Sequence, residues 1–302
     1  MLNRRACLAI KPASRYTKRY STSAPRNNNN HGTSNPFEPR LETFGRLIED
    51  DYAIIREKYA TPKHPVVLAH GLFGFDILYP AGKILPGVRY WRGISEALQA
   101  NGIEVIEGSV PPSATIEERA QELRNDIAEK AAGKAVNIIA GLDSRYMISR
   151  LKPPDVKVLS LTTIATPHRG SAFADYCFEQ IGTEMLPRVY KLLERAGIDT
   201  GAFSQLTRDY MQNNFNPQTP NDPDVRYFSY GATFSPSLWS SFRQSHQIMT
   251  REEGPNDGLV SVSSSHWGDY KGTLMGVSHM DLINWTNRLK WIAWEMTGKK
   301  RK

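Results

Sequence analysis

The first 37 residues contain no acidic side chain. Arg4, Arg5, Lys11, Arg15, Lys18, Arg19 and Arg26 all stand in that segment. Of the 38 Lys and Arg in the chain, 31 lie beyond it, against 31 Asp and Glu. The net charge of +7 therefore belongs to one end, and the body is neutral. That pattern excludes reading the basic isoelectric point as a nucleic-acid-binding surface, so no nucleic-acid partner is expected. Cysteine is almost missing too: there are two, Cys7 and Cys177. Once Cys7 leaves with a cleaved leader, no internal disulfide can form, which suits a reducing compartment. No run approaches eighteen consecutive apolar residues, so no membrane-spanning helix is expected. Repeats at solenoid periods are lacking as well.

What the acid-free segment does contain is Arg, Ser and Thr, with Leu2, Leu8 and Ile10 interspersed. This is the composition of a mitochondrial transit peptide, whereas a secretory signal needs a continuous apolar stretch. Arg19-Tyr20-Ser21-Thr22 resembles a matrix-protease cleavage site. A merely disordered basic tail has the same composition, and that alternative stays open. Residues 21–40 are rich in Ser, Pro, Asn and Gly, including Asn27 to Asn30, and read as a linker. The expected organisation is a transit peptide over 1–20, a linker over 21–40, one domain over 41–298 and a basic tail over 299–302. That tail, Lys299 to Lys302, is either solvated or in touch with anionic lipid.

With 40% apolar residues the domain can bury a substantial core. Strands are expected at Val66–Ala69, Ile103–Ile106, Val136–Ala140, Val158–Ala165 and Tyr227–Ala232. Helices are expected at Ile94–Ala100, Asp143–Leu151 and Leu282–Met296. Another begins at Thr115, where Glu118 three residues on completes a capping-box pattern, and carries Ile116, Ala120, Leu123, Ile127 and Ala131 on one face. Strands alternating with helices imply an α/β fold with a mostly parallel sheet covered on both faces.

Three patches then narrow the reading. His70-Gly71-Leu72-Phe73-Gly74 follows the first core strand, and Thr162 to Ser171, including Thr166-Pro167-His168-Arg169-Gly170, closes a later one. Asn256-Asp257-Gly258-Leu259-Val260 precedes Ser278-His279-Met280-Asp281. In this order they resemble the bacterial true lipases and the fungal mitochondrial triacylglycerol lipases, over about His64 to Trp285. The resemblance implies an α/β-hydrolase fold with a helical lid, and acyl transfer by a Ser-His-Asp mechanism on lipid esters. It assigns Asp257 as the orienting acid, His279 as the base and the Leu72 amide as an oxyanion donor. By residue type alone, Asp257 in Asn-Asp-Gly could equally be a turn former, and His279 a surface-loop histidine. His70 and His168 read as hydrogen-bonding scaffold, and His246 and His266 receive no role.

The same resemblance exposes a gap. After Val136-Asn137-Ile138-Ile139-Ala140 the family places His-Ser-X-Gly, and then Gly141-Leu142-Asp143-Ser144-Arg145-Tyr146. Here Ala140 joins Gly141 directly, and Gly-X-Ser-X-Gly occurs nowhere else. The nucleophile and a neighbouring oxyanion amide are lost together. Leu142 stands two positions past Ala140 with no reactive group; Ser144 is the remaining candidate substitute nucleophile, but is expected to pack locally inside the helix. The chain as written is expected to be inactive. It is then either a lipid-binding pseudoenzyme or a splice or gene-model variant of an active lipase.

Phe178, Ile181, Met185, Leu186, Val189, Leu192 and Leu193 fall at helical spacing where the family carries its lid; an ordinary core helix has the same spacing. A lid would bring the protein to a membrane or lipid-droplet surface as a peripheral partner. The bacterial relatives bind calcium near the histidine, and Asp281 matches one ligand. Residues 231–251, where a second is needed, contain no acid, so no cofactor is expected.

Overall fold

In the computed structural model of the chain, the residues described are 44–48, 60–71, 77–78, 88–91, 93–112, 114–179 and 201–283. All belong to the unit Pro39–Lys302. The transit peptide, the linker, Leu72, most of the lid stretch and all but the start of the final helix lie outside them.

The main sheet has seven strands, all parallel: β1 (Leu47–Ile48), β2 (Val66–Ala69), β5 (Val105–Gly108), β6 (Val136–Ile139), β7 (Val158–Ile164), β8 (Arg226–Thr233) and β9 (Asp269–Met275), in the order β1-β9-β8-β7-β6-β2-β5. A small antiparallel ladder of β3 (Ile77–Leu78) and β4 (Val88–Arg89) stands apart. The helices flanking the sheet include α1 (Ile94–Ala100), α2 (Ile116–Ala131), α3 (Leu142–Tyr146) and α4 (172–179). After them come α5 (Gly201–Ser204), α6 (Arg208–Tyr210), α7 (Asn216–Gln218), α8 (Arg243–Glu253) and α9 (Val262–Ser265).

Burial explains the order. All four residues of β2 are buried, as a central strand covered on both faces requires. Val67, Ile138 and Leu161, from β2, β6 and β7, form the core with Leu123 and Ile127 of α2. Helix α2 is fastened at its start as expected: the Glu118 amide donates to Thr115 Oγ1 at 3.3 Å, and the Thr115 amide donates to Glu118 Oε2 at 3.0 Å.

Two elements shift from their expected places. The strand read at Ile103–Ile106 sits two residues later, because its pairing with β2 sets Val66 against Val105. The helix read at Asp143–Leu151 is five α residues followed by a π-type segment, Met147–Leu151. Of the helix read at Leu282–Met296, the described part is a 3-10 turn, Asp281–Ile283.

Candidate active site

Because every main-sheet strand runs the same way, all their carboxyl ends share one edge, where such sheets keep their sites. The three sequence patches and the flank of the gap all have residues leaving from that edge. His70 follows β2, Gly141 follows β6, Thr166-Pro167-His168 follows β7, and His279 follows β9.

Asp257 and His279 meet there. His279 Nδ1 lies 2.7 Å from Asp257 Oδ2, and the His279 amide donates to the Asp257 carbonyl at 2.9 Å. The other carboxylate oxygen, Oδ1, accepts from the amides of Leu259 (3.0 Å) and Val260 (2.8 Å). Asn256 braces the turn, its Oδ1 accepting from the Gly258 amide at 2.9 Å. The Asp257 side chain is fully buried, while that of His279 is one-third exposed. Burial disfavours the His279 cation, but the charge of Asp257 and its hydrogen bond outweigh this and push the pKa above 6.5. Nε2 of His279, the atom a base would use, makes no hydrogen bond to the described residues.

At the end of β6 the chain enters α3 directly through Gly141. Leu142, Asp143, Ser144 and Arg145 are all buried, so this first turn has no solvent face. Leu142 packs with Ile116, Met211 and Phe215. Ser144 is fully buried, and its Oγ has no hydrogen-bond partner, His279 included. Geometry therefore places no activated serine at the position where the resemblance expects one.

Two buried cations hold the surroundings, and nothing in the sequence assigned either a role. Arg119 Nη2 donates to the His70 carbonyl at 2.6 Å and to Asp143 Oδ2 at 2.9 Å, and Nη1 donates to the Pro111 carbonyl. It thus ties the root of the His70-Gly71 loop to the start of α3. Its signal was a cation amid the apolar face of α2, beside Ile116, Ala120 and Leu123. Arg145 packs over the Trp267 ring at 3.5 Å and donates to His168 Nδ1 (3.1 Å) and Asn216 Oδ1 (3.1 Å). Burial lowers its pKa to about 9.

Since guanidinium only donates, His168 Nδ1 must accept; the ring is then neutral, with Nε2–H donating to Thr163 Oγ1 at 2.9 Å. Burial, with Arg145 and Arg169 nearby, holds its pKa well below 6.5. His168 is scaffold, as its residue context suggested. Leu72 lies outside the described residues. Asp281 is engaged in its own turn, Oδ2 accepting from Ser278 Oγ at 2.6 Å and the Ser278 amide at 3.1 Å. Among the described residues no three His, Cys, Asp or Glu side chains converge on a cation position.

No protein-family model matches the chain. It is 37% identical to triacylglycerol lipase 2 of Saccharomyces cerevisiae, over 80% of this chain and 86% of that protein. It is 28% identical to a triacylglycerol lipase of Vibrio cholerae, over 77% and 83% respectively. Among solved structures, a Bacillus licheniformis lipase superposes with a TM-score of 0.58 at 20% identity, covering 78% of this chain and 91% of that one. A Staphylococcus hyicus lipase does so with a TM-score of 0.55 at 19% identity, covering 79% and 98%.

Proposed function

Because the chain belongs to the triacylglycerol lipase family of α/β-hydrolases, we propose that its site is that of a lipid-ester hydrolase from which the nucleophile segment has been lost. In the complete site the serine attacks the ester carbonyl, and His279 Nε2 takes the serine proton and returns it to the leaving alcohol. Asp257 fixes the ring and steadies the imidazolium. The chain as it stands binds lipid ester without forming an acyl-enzyme, and acts in mitochondria at a lipid surface. The observation that carries this reading is the Asp257–His279 pair itself. A buried carboxylate with one oxygen held by two amides and the other on Nδ1 leaves Nε2 without a partner among the described residues, poised for the serine that the chain no longer supplies. Ser144 is no substitute, since its hydroxyl is sealed in the core.

Inserting His-Ser-Met-Gly between Ala140 and Gly141 tests the proposal. The restored chain is expected to hydrolyse esters and to lose most of kcat on His279→Ala. The chain as it stands is expected to take no fluorophosphonate label. Labelling abolished by Ser144→Ala would make Ser144 the nucleophile. A restored, folded chain inactive on short and long esters alike would leave lipid binding without hydrolysis as the better account.

A further inference from the structure

The loop joining β8 to α8, residues 234–242, carries the two most exposed large apolar side chains among the described residues. Trp239 is 95% exposed and Leu238 74%. Adjacent exposed side chains of this kind form an apolar tip available for contact. The Ser240 amide donates to the Ser237 carbonyl at 3.1 Å, closing a turn with Leu238 and Trp239 at its two central positions. The base of the loop is fixed. Phe242 packs so closely on Gly258 (φ +102°) that a Cβ there would come within 2.9 Å of its ring. Phe242 also meets Phe234 edge to face at 6.3 Å, the Phe234 amide donates to the Asn256 carbonyl at 3.3 Å, and His246 Nε2 donates to the Phe234 carbonyl at 2.9 Å. An apolar tip thus stands on a base fastened to the turn that carries Asp257.

Charge identifies the occupant. Residues 231–251 contain no acid, and exposed Arg243 lies four positions past Trp239, in the first turn of α8. Tryptophan and a cation four positions apart, in a stretch of sequence without acidic residues, match the headgroup layer of an anionic bilayer, where indole rings settle and phosphates meet guanidinium.

We propose that the Ser237–Ser240 turn docks the protein on an anionic phospholipid bilayer, Leu238 and Trp239 entering the headgroup–acyl boundary while Arg243 meets the phosphates. Docking there sets the Asp257–His279 end of the sheet against lipid. The inference rests on the lipid-ester reading for what the docked protein does, but the docking itself requires no catalysis.

Partition of the full chain is measured by sedimentation with vesicles of phosphatidylcholine plus phosphatidylglycerol, and of phosphatidylcholine alone. Parent and variants share the same basic leader, so its contribution cancels in the comparison. Leu238→Ser with Trp239→Ser is expected to weaken partition about 10- to 100-fold on the mixed vesicles, the loss of two inserted apolar side chains. Trp239→Phe should retain most of the binding while abolishing the lipid-induced shift in indole emission. Arg243→Gln should weaken partition on the anionic vesicles only. Equal partition of the parent and the double serine variant overturns the proposal. So does a double variant that changes self-association instead, which would make the tip a protein contact. An elbow-restored chain inactive on soluble esters, with partition still dependent on Trp239, refutes the hydrolase reading alone. An active one whose partition ignores Trp239 refutes the docking alone.

Discussion

Asn-Asp-Gly admits two readings, a tight turn or an orienting acid, and Asp257 makes the contacts that each requires. Oδ1 organises the turn through two amides, and Oδ2 is left to hold His279. This pair was legible because its motifs are local and ordered along the chain. Arg145 was not, since nothing in a helical hexapeptide announces a cation that will sit on Trp267 more than a hundred residues away. The raised pKa of His279 sets the pH dependence of the elbow-restored protein. A base must be neutral to accept a proton, so kcat/KM should climb with pH through an inflection above 6.5. Asp257→Asn should move that inflection down and lower the plateau about a thousandfold or more. Stability runs the other way: what the pair adds is complete below the ordinary histidine value and fades as pH rises through the raised one. Parent and Asp257→Asn profiles with one shared inflection would show the two groups uncoupled. Arg119 gives a second residue-scale test. Arg119→Met leaves Asp143 buried without its cation and should cost about 3–5 kcal/mol in denaturant unfolding. Adding Asp143→Leu should recover part of that cost. If the double variant is no better than the single, the pair is not coupled.

Among elements, those with a clear period were readable. Helix α2 shows its apolar stripe and its capping box, and β2 is an unbroken apolar run. The strand Asp269-Tyr-Lys-Gly-Thr-Leu-Met and the helix Arg243–Glu253 were passed over for a physical reason. The strand carries Asp, Lys and Gly, and it is held by pairing with β8 and β1 rather than by propensity. The apolar positions of the helix, Ile248 and Met249, are adjacent instead of spaced by turns. Leu47–Ile48 is too short for any pattern to announce it. Helix α2 also ends on a non-glycine residue in the left-handed region, Ala132 at φ 48°, ahead of Gly133 at φ 81°. The Cβ at position 132 opposes that conformation by roughly 1–2 kcal/mol, and glycine returns part of the gain as unfolded-state entropy. Ala132→Gly should therefore stabilise the protein by about 0.5–1 kcal/mol, read as a higher midpoint at unchanged denaturant slope. A lower midpoint would mean that helix α2 relaxes this end without strain.

For the whole molecule, the proposed loss of four residues falls between a central strand and the helix that follows it, where no surface loop can absorb it. A removal of four residues is close to one helical turn, which keeps the phase of the following helix to within about 40° and lets the parallel sheet form. On that proposal the cost lies in what the junction buries. Leu142 to Arg145 are all enclosed, Asp143 needs Arg119, Arg145 has no acid partner among the described residues, and the Ser144 hydroxyl is left unsatisfied. A buried polar group without a partner costs about 1–3 kcal/mol, and a buried cation more unless it is compensated. Restoring the segment lengthens the connection by a turn and frees α3 to move away from the edge of the sheet. The restored chain should accordingly unfold at higher denaturant concentration, by an amount worth several kcal/mol at this central site. Amides of β6 and β7 should gain hydrogen-exchange protection together, because they report global opening. The comparison needs no catalysis, so it separates the structural consequence of the gap from the chemical one. If the midpoint is unchanged while esterase activity appears, the shortened junction carries no strain, and what the chain lost with those residues is the nucleophile alone.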